Sequence, residues 1–532
     1  MTRDLLTRTL ARPLTLLISV ALLAGAAGGV LAAPARQDPA LVDEIRSQVA
    51  QVRGLDVRAD VPLLALPRQD LVSRLSEELN DERTVREFLT SQMLLEVLGA
   101  MKQGFDLRQL QLNLLAEQTV ALYDYDDKVI YLAADAASGG DLGANERLVL
   151  AHEMTHALQD QHFDLRRVLP ANPRSSDADT AARALVEGDA MLTMRIWGRQ
   201  HLRPSDKRSL GDDPAPSDPV LDSAPPLVRG ELLFPYDAGW VFAQLLYQDG
   251  GYTAVDQAFL NPPRSTEQIL HPEKYQAGDD EPITVGISPL EETLGGTWKT
   301  LRTDVFGELV LRLLLEPNVG WPVAEAAAAG WGGDVYTILE DASGRRVVGM
   351  VTVWDTEADA AEMYNAYVQR IDDQYPFDAR RTVTQPSLGR WTIPGYQLQV
   401  IKTDNVVRIA YAPDAETLDQ VEAHLSTAVI GAAAPITAPP RGAPASAPRP
   451  PAAPSPSVGP PANAPTPSAP FAPPELDDEA EPDTIEPTNT DPAEPSNRFQ
   501  ATPTPDVPVP TPAATPAPPA PLRPAGGEDT ED

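Results

Sequence analysis

Apolar residues recur at helical spacing through residues 37–120, and this pattern predicts several amphipathic helices. The first, DPALVDEIRSQVAQVRGL, has Asp38 in the position of an N-cap. The period changes over residues 119–135, TVALYDYDDKVIYLAAD, where aromatic and β-branched residues flank a polar YDD. This segment predicts two short strands joined by a turn.

Helices return after this hairpin. Asn145 is a candidate N-cap for a helix containing LVLAHEMTHALQDQHFDL, which starts at Leu148. Residues 177–200, DADTAARALVEGDAMLTMRIWGRQ, predict a second helix. Residues 204–227 are rich in Pro and Asp and predict a surface loop. Two further helices are then expected, interrupted at Gly250–Gly251.

The C-terminal half has a different pattern. It predicts a helix near 303–315, paired strands, another helix, two more strands and a last helix near 414–429. Beyond Pro435 the chain is dominated by Pro, Ala, Thr and Ser, which cannot form a packed core. The predicted organisation is a signal peptide or N-terminal anchor (1–35), a mainly helical domain with a small β-sheet (36–280), a smaller α+β domain (281–430) and a disordered acidic tail (431–532).

The N-terminal segment indicates export. Arg3, Arg8 and Arg12 precede an uncharged stretch over 14–33 that ends in small residues, as in a secretory signal peptide. The stretch also approaches the roughly 20 residues that span a bilayer, so an uncleaved anchor is the alternative. Either way, we expect an extracytoplasmic protein.

The amino-acid composition limits which metal ligands, nucleophiles and partners the protein can use. The chain has no cysteine, so thiolate ligands and cysteine nucleophiles are excluded and a metal site must use histidine and carboxylate. The formal net charge of −35 argues against nucleic acid or anionic lipid as a partner.

The HEMTH segment is the strongest chemical signal. Positions four apart on a helix lie about 40° apart, so His152 and His156 share one face and can bind one ion. Glu153 lies to the side of that face, where it can deprotonate a water bound to the metal. The flanking residues are uncharged, as expected for a buried active-site helix. We therefore expect a zinc ion (Zn2+) as cofactor and Glu153 as general base.

The third ligand could come from two places. His162 has metzincin spacing, but the glycine that such a turn needs is replaced by Gln159. On a continuous helix His162 would lie about 80° around from His152 and roughly 15 Å along the axis, out of reach. Glu187 on the next helix is the preferred ligand, because a carboxylate among Ala, Leu and Val is costly to bury without a partner. Two histidines and one glutamate also leave a coordination position for water.

Residues near Glu187 have supporting roles in this prediction. Gly188 would let a neighbouring helix approach closely. Asp189, Asp179 and Asp177 are candidate partners of the histidines, and the sequence does not choose among them.

HEMTH with a downstream Glu-Gly resembles the gluzincin metallopeptidases, the thermolysin-like branch of the zincins. FPYDAGWVFAQLLYQDGG is similar to a helix that follows the ligand helix in compact bacterial gluzincins, and the likeness extends over about 85–275. The resemblance implies a zincin-like catalytic domain in which His152, His156 and Glu187 bind zinc. It also implies that the strand KVIYLAAD, 128–135, pairs with an extended substrate. Oxyanion donors in such enzymes are His or Tyr, which makes candidates of His271, Tyr275 and Tyr236. His271 is preferred among them, because STEQILHPEKY predicts an ordered loop near the end of the catalytic unit.

The expected function is therefore an exported zinc metallopeptidase acting on a peptide or protein substrate. One alternative is a non-catalytic envelope protein with a structural zinc and a partner-binding C-terminal domain. Another is a zinc hydrolase acting on a non-peptide bond. The sequence leaves open the substrate, the oligomeric state, and whether residues 36–84 are a propeptide.

Overall fold

The computed structural model describes residues 39–134, 142–170, 173–210 and 218–431. These residues form an α+β protein, helical in its first half and built on a seven-stranded antiparallel sheet in its second. The predicted N-terminal signal or anchor lies outside them, as does the tail beyond Gly431. Among the described helices, none combines the length and apolar character needed to cross a bilayer.

The first half is mainly helical, as predicted, with one small sheet. Its elements are α1 (Pro39–Arg53), β1 (Leu63–Leu66), α2 (Arg68–Leu79), α3 (Glu82–Val97), α4 (Leu107–Gln118), β2 (Ala121–Asp124), β3 (Val129–Ala133), α5 (Ala144–Phe163), α6 (Leu165–Val168), α7 (Ser176–His201), α8 (Pro204–Leu210), α9 (Pro219–Asp222), α10 (Pro226–Leu260), α11 (Thr266–Leu270) and α12 (Pro272–Ala277).

The small sheet before α5 confirms the predicted hairpin and corrects one expectation about it. β2 and β3 pair antiparallel across the turn, and β1, which the sequence pattern did not reveal, pairs parallel with β3. The order β1-β3-β2 places β3 in the middle, with both edges occupied. A substrate therefore cannot add to β3, and the pairing implied for 128–135 is wrong. β2 is the edge strand on the side of α5.

The second half contains the paired strands and helices predicted there, together with β5, β8 and β9, which the pattern did not reveal. The sheet order is β5-β6-β7-β11-β10-β9-β8, with all neighbours antiparallel. The elements are β4 (Val285–Gly286), α13 (Glu291–Leu294), β5 (Trp298–Asp304), α14 (Gly307–Val319), α15 (Trp321–Ala328), β6 (Trp331–Asp341), β7 (Arg346–Trp354), α16 (Glu357–Gln374), β8 (Arg380–Gln385), β9 (Leu388–Ile393), β10 (Tyr396–Thr403), β11 (Val406–Ala412), α17 (Ala415–Leu425) and β12 (Val429–Ile430).

The helix α7, which carries Glu187, packs closely against α10 next to that residue. A Cβ added to Gly188 would lie 2.0 Å from the carbonyl oxygen of Gly239, so the two backbones touch at this point. This confirms the predicted role of Gly188. The expected interruption of α10 is also present, because Gly250 and Gly251 have non-helical dihedrals and Gly251 has a φ of 63°.

Two local predictions were wrong. α5 begins at Ala144 after Gly143, so Asn145 lies inside the helix and is not its N-cap. The described parts of 204–227 include two short helices, α8 and α9, where we expected a loop. The domain boundary predicted between residues 280 and 281 stays a prediction. One buried apolar cluster includes residues from both sides of it, so the packing of the core does not mark a division there.

Candidate metal centre

The helix that carries HEMTH is buried along its middle. Every residue of α5 from Val149 to Asp160 is buried, and the helix continues to Phe163 without a break. Helical spacing brings the rings of His152 and His156 edge to face, with centroids 4.6 Å apart. Their Nε2 atoms lie 3.0 Å from each other. The two histidines therefore present their Nε2 atoms to one point.

Glu187 completes this group from the neighbouring helix. Its Oε2 lies 3.1 Å from His152 Nε2 and 3.4 Å from His156 Nε2. The carboxylate is buried on α7, which packs against α5. The structure thus brings together the three residues that the sequence predicted as ligands, although they come from two helices.

The donor set fits a zinc ion. Tetrahedral ligands at about 2.0–2.1 Å from zinc lie about 3.3–3.4 Å from one another. The three donor atoms are 3.0, 3.1 and 3.4 Å apart, close to that spacing. Two imidazole nitrogens and one carboxylate oxygen are also ligands that zinc accepts, and three protein ligands leave one coordination position open.

Glu153 lies beside this group and is fully buried. Its Oε2 accepts a hydrogen bond of 2.6 Å from the backbone N–H of Tyr123 on β2. Its Oε1 has no hydrogen-bond partner within the described part of the chain. Tyr123 also donates its hydroxyl hydrogen to Asp160 over 2.7 Å, which holds β2 against α5. One carboxylate oxygen of Glu153 is thus anchored while the other stays available to a proton.

The electrostatics of the group favour a cation. Burial alone would raise the pKa of Glu187, but the adjacent histidines hold it well below its ordinary value. Burial alone would lower the pKa of His156, but the Glu187 carboxylate raises it to about 9. Burial raises the pKa of Glu153, partly opposed by the same histidines. The buried carboxylates therefore stabilise positive charge between the rings, and a divalent ion could supply that charge in place of protons.

The orientation of His156 depends on a residue whose role the sequence did not reveal. His156 Nδ1 lies 2.9 Å from Gln159 Oε1, one turn further along α5. In the sequence, Gln159 was informative only because it stands where a metzincin has a glycine. Its position three residues after a candidate ligand histidine, on the same face of the helix, was a signal for this role.

The other candidates near HEMTH have separate partners. His162 hydrogen-bonds the carbonyl oxygen of Asp56 over 2.8 Å at the end of α5, which agrees with its exclusion as a ligand. Asp177 accepts from Thr266, and Asp179 pairs with Arg183. Of the three aspartates considered, Asp189 contacts the site network, and it does so through Gln159.

The three candidate oxyanion donors also differ. His271 Nε2 lies 3.0 Å from Glu308, whose hydrogen bond raises the pKa of His271. Tyr275 donates its hydroxyl hydrogen to the carbonyl oxygen of Asn261 over 2.8 Å. Tyr236 is buried on α10 one turn before Gly239, the residue that touches Gly188. Tyr236 therefore lies on α10 close in sequence to the point where α10 contacts α7 beside Glu187.

One other acidic group, in the described residues, has donors close enough for an ion. It consists of Glu267, Asp280 and Asp355. The ammonium of Lys274 lies 2.6 Å from Glu267 and 3.0 Å from Asp355, so these carboxylates already have a cationic partner. This group is a structural ion-pair cluster.

Comparison with known protein families finds a match to part of the second half of the chain. Residues 294–422, which include β5–β11 and most of α17, match the family described as Domain of unknown function (DUF8575). Comparisons with curated proteins and with solved structures return no match.

Proposed function

We propose that the protein is an exported, zinc-dependent metallopeptidase with a zincin-like catalytic domain in its first half. The observation that carries this proposal is the convergence of His152, His156 and Glu187 beside the half-anchored carboxylate of Glu153. The export part rests on the sequence of residues 1–35 alone.

Each residue has a defined part in this mechanism. His152, His156 and Glu187 would hold the zinc, which when bound supplies a Lewis acid and lowers the pKa of water. Glu153 takes the proton of the attacking water on Oε1 and passes it to the leaving amine. The Tyr123 amide keeps the carboxylate in place during both transfers.

Substrate and oxyanion binding extend the proposal. An extended peptide would pair with the outer edge of β2, the strand that contacts α5, instead of with β3. It would use backbone groups other than the Tyr123 N–H, which already donates to Glu153. Tyr236 would donate a hydrogen bond to the developing oxyanion, where such donors contribute most to rate.

The experiment compares Glu153→Gln with wild type in the full chain, measuring zinc content and cleavage of casein. We expect stoichiometric zinc in both and a loss of about 10²–10⁴-fold in cleavage rate for the variant. Glu146→Gln, the same change two turns earlier on α5, is the matched control and should cleave like wild type. Equal cleavage by Glu153→Gln and wild type would contradict the assigned base.

The non-catalytic alternative draws on one observation. His152, Glu153, His156 and Glu187 are all buried, which suits a structural zinc. It predicts zinc in wild type and in Glu153→Gln, with no cleavage of casein or of a peptide library by either. A panel of acyl substrates in the same assay separates peptide hydrolysis from the non-peptide alternative.

A further inference from the structure

A chain of buried hydrogen bonds leads from His156 to the N-terminal helix. Gln159 Nε2 donates to the carbonyl oxygen of Val186 and to Asp189 Oδ2, each over 2.9 Å. Arg53 Nε then donates to the same Asp189 oxygen over 2.9 Å. Arg53 is the last residue of α1 and lies 136 positions before Asp189 in the chain. The hydrogen-bonded path thus joins α1 to α5 and α7.

The path determines which way the Gln159 amide faces. The carbonyl of Val186 and the carboxylate of Asp189 are both acceptors, so the Gln159 NH2 group must face them. The Oε1 atom then faces His156 and accepts from Nδ1. This holds the ring of His156 with Nε2 toward Glu187, the orientation that metal binding requires.

Arg53 supplies the charge that keeps Asp189 in place. The side chains of Arg53 and Asp189 are both fully buried, and a buried carboxylate without a counter-charge is strongly unfavourable. Arg53 Nη2 also lies 2.7 Å from Asp256 Oδ1, in the part of α10 after the glycine interruption. The guanidinium carbon is 4.5 Å from the centre of the Tyr252 ring. One arginine of α1 therefore binds both α7 and α10 behind the site.

We propose that Arg53 is a positioning residue of the metal site and that α1 is retained in the working protein, so it is not a removable propeptide. The proposal rests on the zinc site proposed above. Without Arg53, Asp189 loses its counter-charge and its fixed position. Gln159 then loses one of the two acceptors that orient its amide, and His156 loses its preset geometry.

The first test measures the zinc dissociation constant of Arg53→Met in the full chain by competition with a chelator. We expect zinc affinity about 10–100-fold below that of wild type, the usual cost of losing a residue that orients a ligand. Arg370→Met is the matched control, because Arg370 is equally buried but binds the carbonyl oxygens of Leu314 and Leu98. It should lower the melting temperature and leave zinc affinity unchanged.

Gln159→Met provides a second variant if Arg53→Met does not fold. It leaves the ion pairs of Arg53 with Asp189 and Asp256 intact, and it removes the acceptor of His156 together with the two hydrogen bonds that Gln159 donates to Val186 and Asp189. Zinc affinity should fall over the same range, with a smaller change in melting temperature. Arg53→Lys, which keeps the charge, should retain more affinity than Arg53→Met.

The outcomes separate this inference from the proposed function. Wild-type zinc affinity in both Arg53→Met and Gln159→Met overturns the inference and leaves the peptidase proposal standing. Zinc binding weakened as expected, with no peptide cleavage by wild type, supports the inference and contradicts the peptidase proposal. Absence of zinc from wild type contradicts both. The intact mass of the exported, zinc-bound protein should include residues 39–53, and a zinc-bound form that begins after Arg53 also overturns the inference.

Discussion

Two regions of the protein are buried to a similar degree, the pair of helices α5 and α7 and the strand β7. They differ in the polarity of the side chains that they bury. In β7 the residues from Val347 to Trp354 are all buried. Two side chains among them form hydrogen bonds, Thr352 and Trp354, and the Trp354 indole donates to the Thr352 hydroxyl. In α5 a stretch of similar burial includes two histidines, a glutamate, a glutamine and an aspartate. Hydrophobic burial explains why β7 folds as it does, but it cannot explain why polar groups are kept inside α5.

This difference in polarity indicates which region stabilises the fold and which region is a candidate for function. Buried polar groups cost free energy unless they are paired, and Glu153 Oε1 has no hydrogen-bond partner in the described part of the chain. Asp189 and Arg53 are paired with each other, but replacing such pairs by apolar residues is often neutral or stabilising. We therefore interpret the polar layer as a functional site and the sheet as the stabilising part.

The sharpest way to break this comparison is to alter one residue in each region. His156→Leu should remove stoichiometric zinc, and it should also destabilise the metal-free protein, because the buried Glu187 then loses one of its two histidine partners. Trp354→Ala should lower the free energy of unfolding by about 3–5 kcal/mol and leave zinc affinity unchanged, because it creates a cavity in the sheet. Zinc titration and urea denaturation of the metal-free proteins measure both effects.

His162→Ala is the control for His156→Leu. It removes a histidine of the same helix whose ring binds the Asp56 carbonyl, and it should keep wild-type zinc affinity. Zinc binding that survives His156→Leu but not His162→Ala would make His162 the ligand and reverse our interpretation of α5.

A smaller effect is expected where the site depends on backbone packing. Gly188→Ala places a methyl group against the Gly239 carbonyl, so α7 and α10 must separate. We expect the free energy of unfolding to fall by about 1–3 kcal/mol and zinc affinity to fall with it, since Glu187 is the adjacent residue. Gly344→Ala, in a turn with open space around its Cβ but a positive φ, is a control for backbone strain alone. It should destabilise without affecting zinc.

A separate effect, which appears only as a pH dependence, concerns a buried acid away from the metal site. Burial raises the pKa of Asp177 from 3.8 to about 8, against two hydrogen bonds from Thr266 and with Asp334 and Glu308 facing it. The folded state therefore keeps a proton that the unfolded chain releases above about pH 4. Stability from this group falls as pH rises from about 4 to 8, by at most about 1.4 kcal/mol per pH unit.

Asp177→Asn isolates that pH dependence. The amide keeps the acceptor for Thr266 and cannot ionise, so the variant should match wild type near pH 3 and exceed it in stability near pH 8. Denaturation curves at the two values provide the comparison. A wild-type advantage at the higher pH would show that the carboxylate is ionised in the folded protein.

Local patterns predicted most elements and the four residues of the candidate site, which are His152, Glu153, His156 and Glu187. The helical period identified the helices that became α5 and α7, and the alternation around YDD identified β2 and β3. The spacing of His152 and His156 required only one helix, so the sequence was sufficient for that pair. β1, β5, β8 and β9 were missed because short or partly exposed strands have weak periodicity, and their identity depends on the strands beside them.

The amino-acid sequence by itself determined the candidate metal-binding pair, the candidate base and the preferred third ligand, because residue type and helical geometry act over a few positions. Only the tertiary structure decided that β3 is an interior strand, that Tyr123 anchors Glu153, and that Arg53 supports the site. These contacts join residues that lie between 30 and 136 positions apart in the chain. Such contacts form only when the helices and strands pack together, and no local period along the chain encodes them.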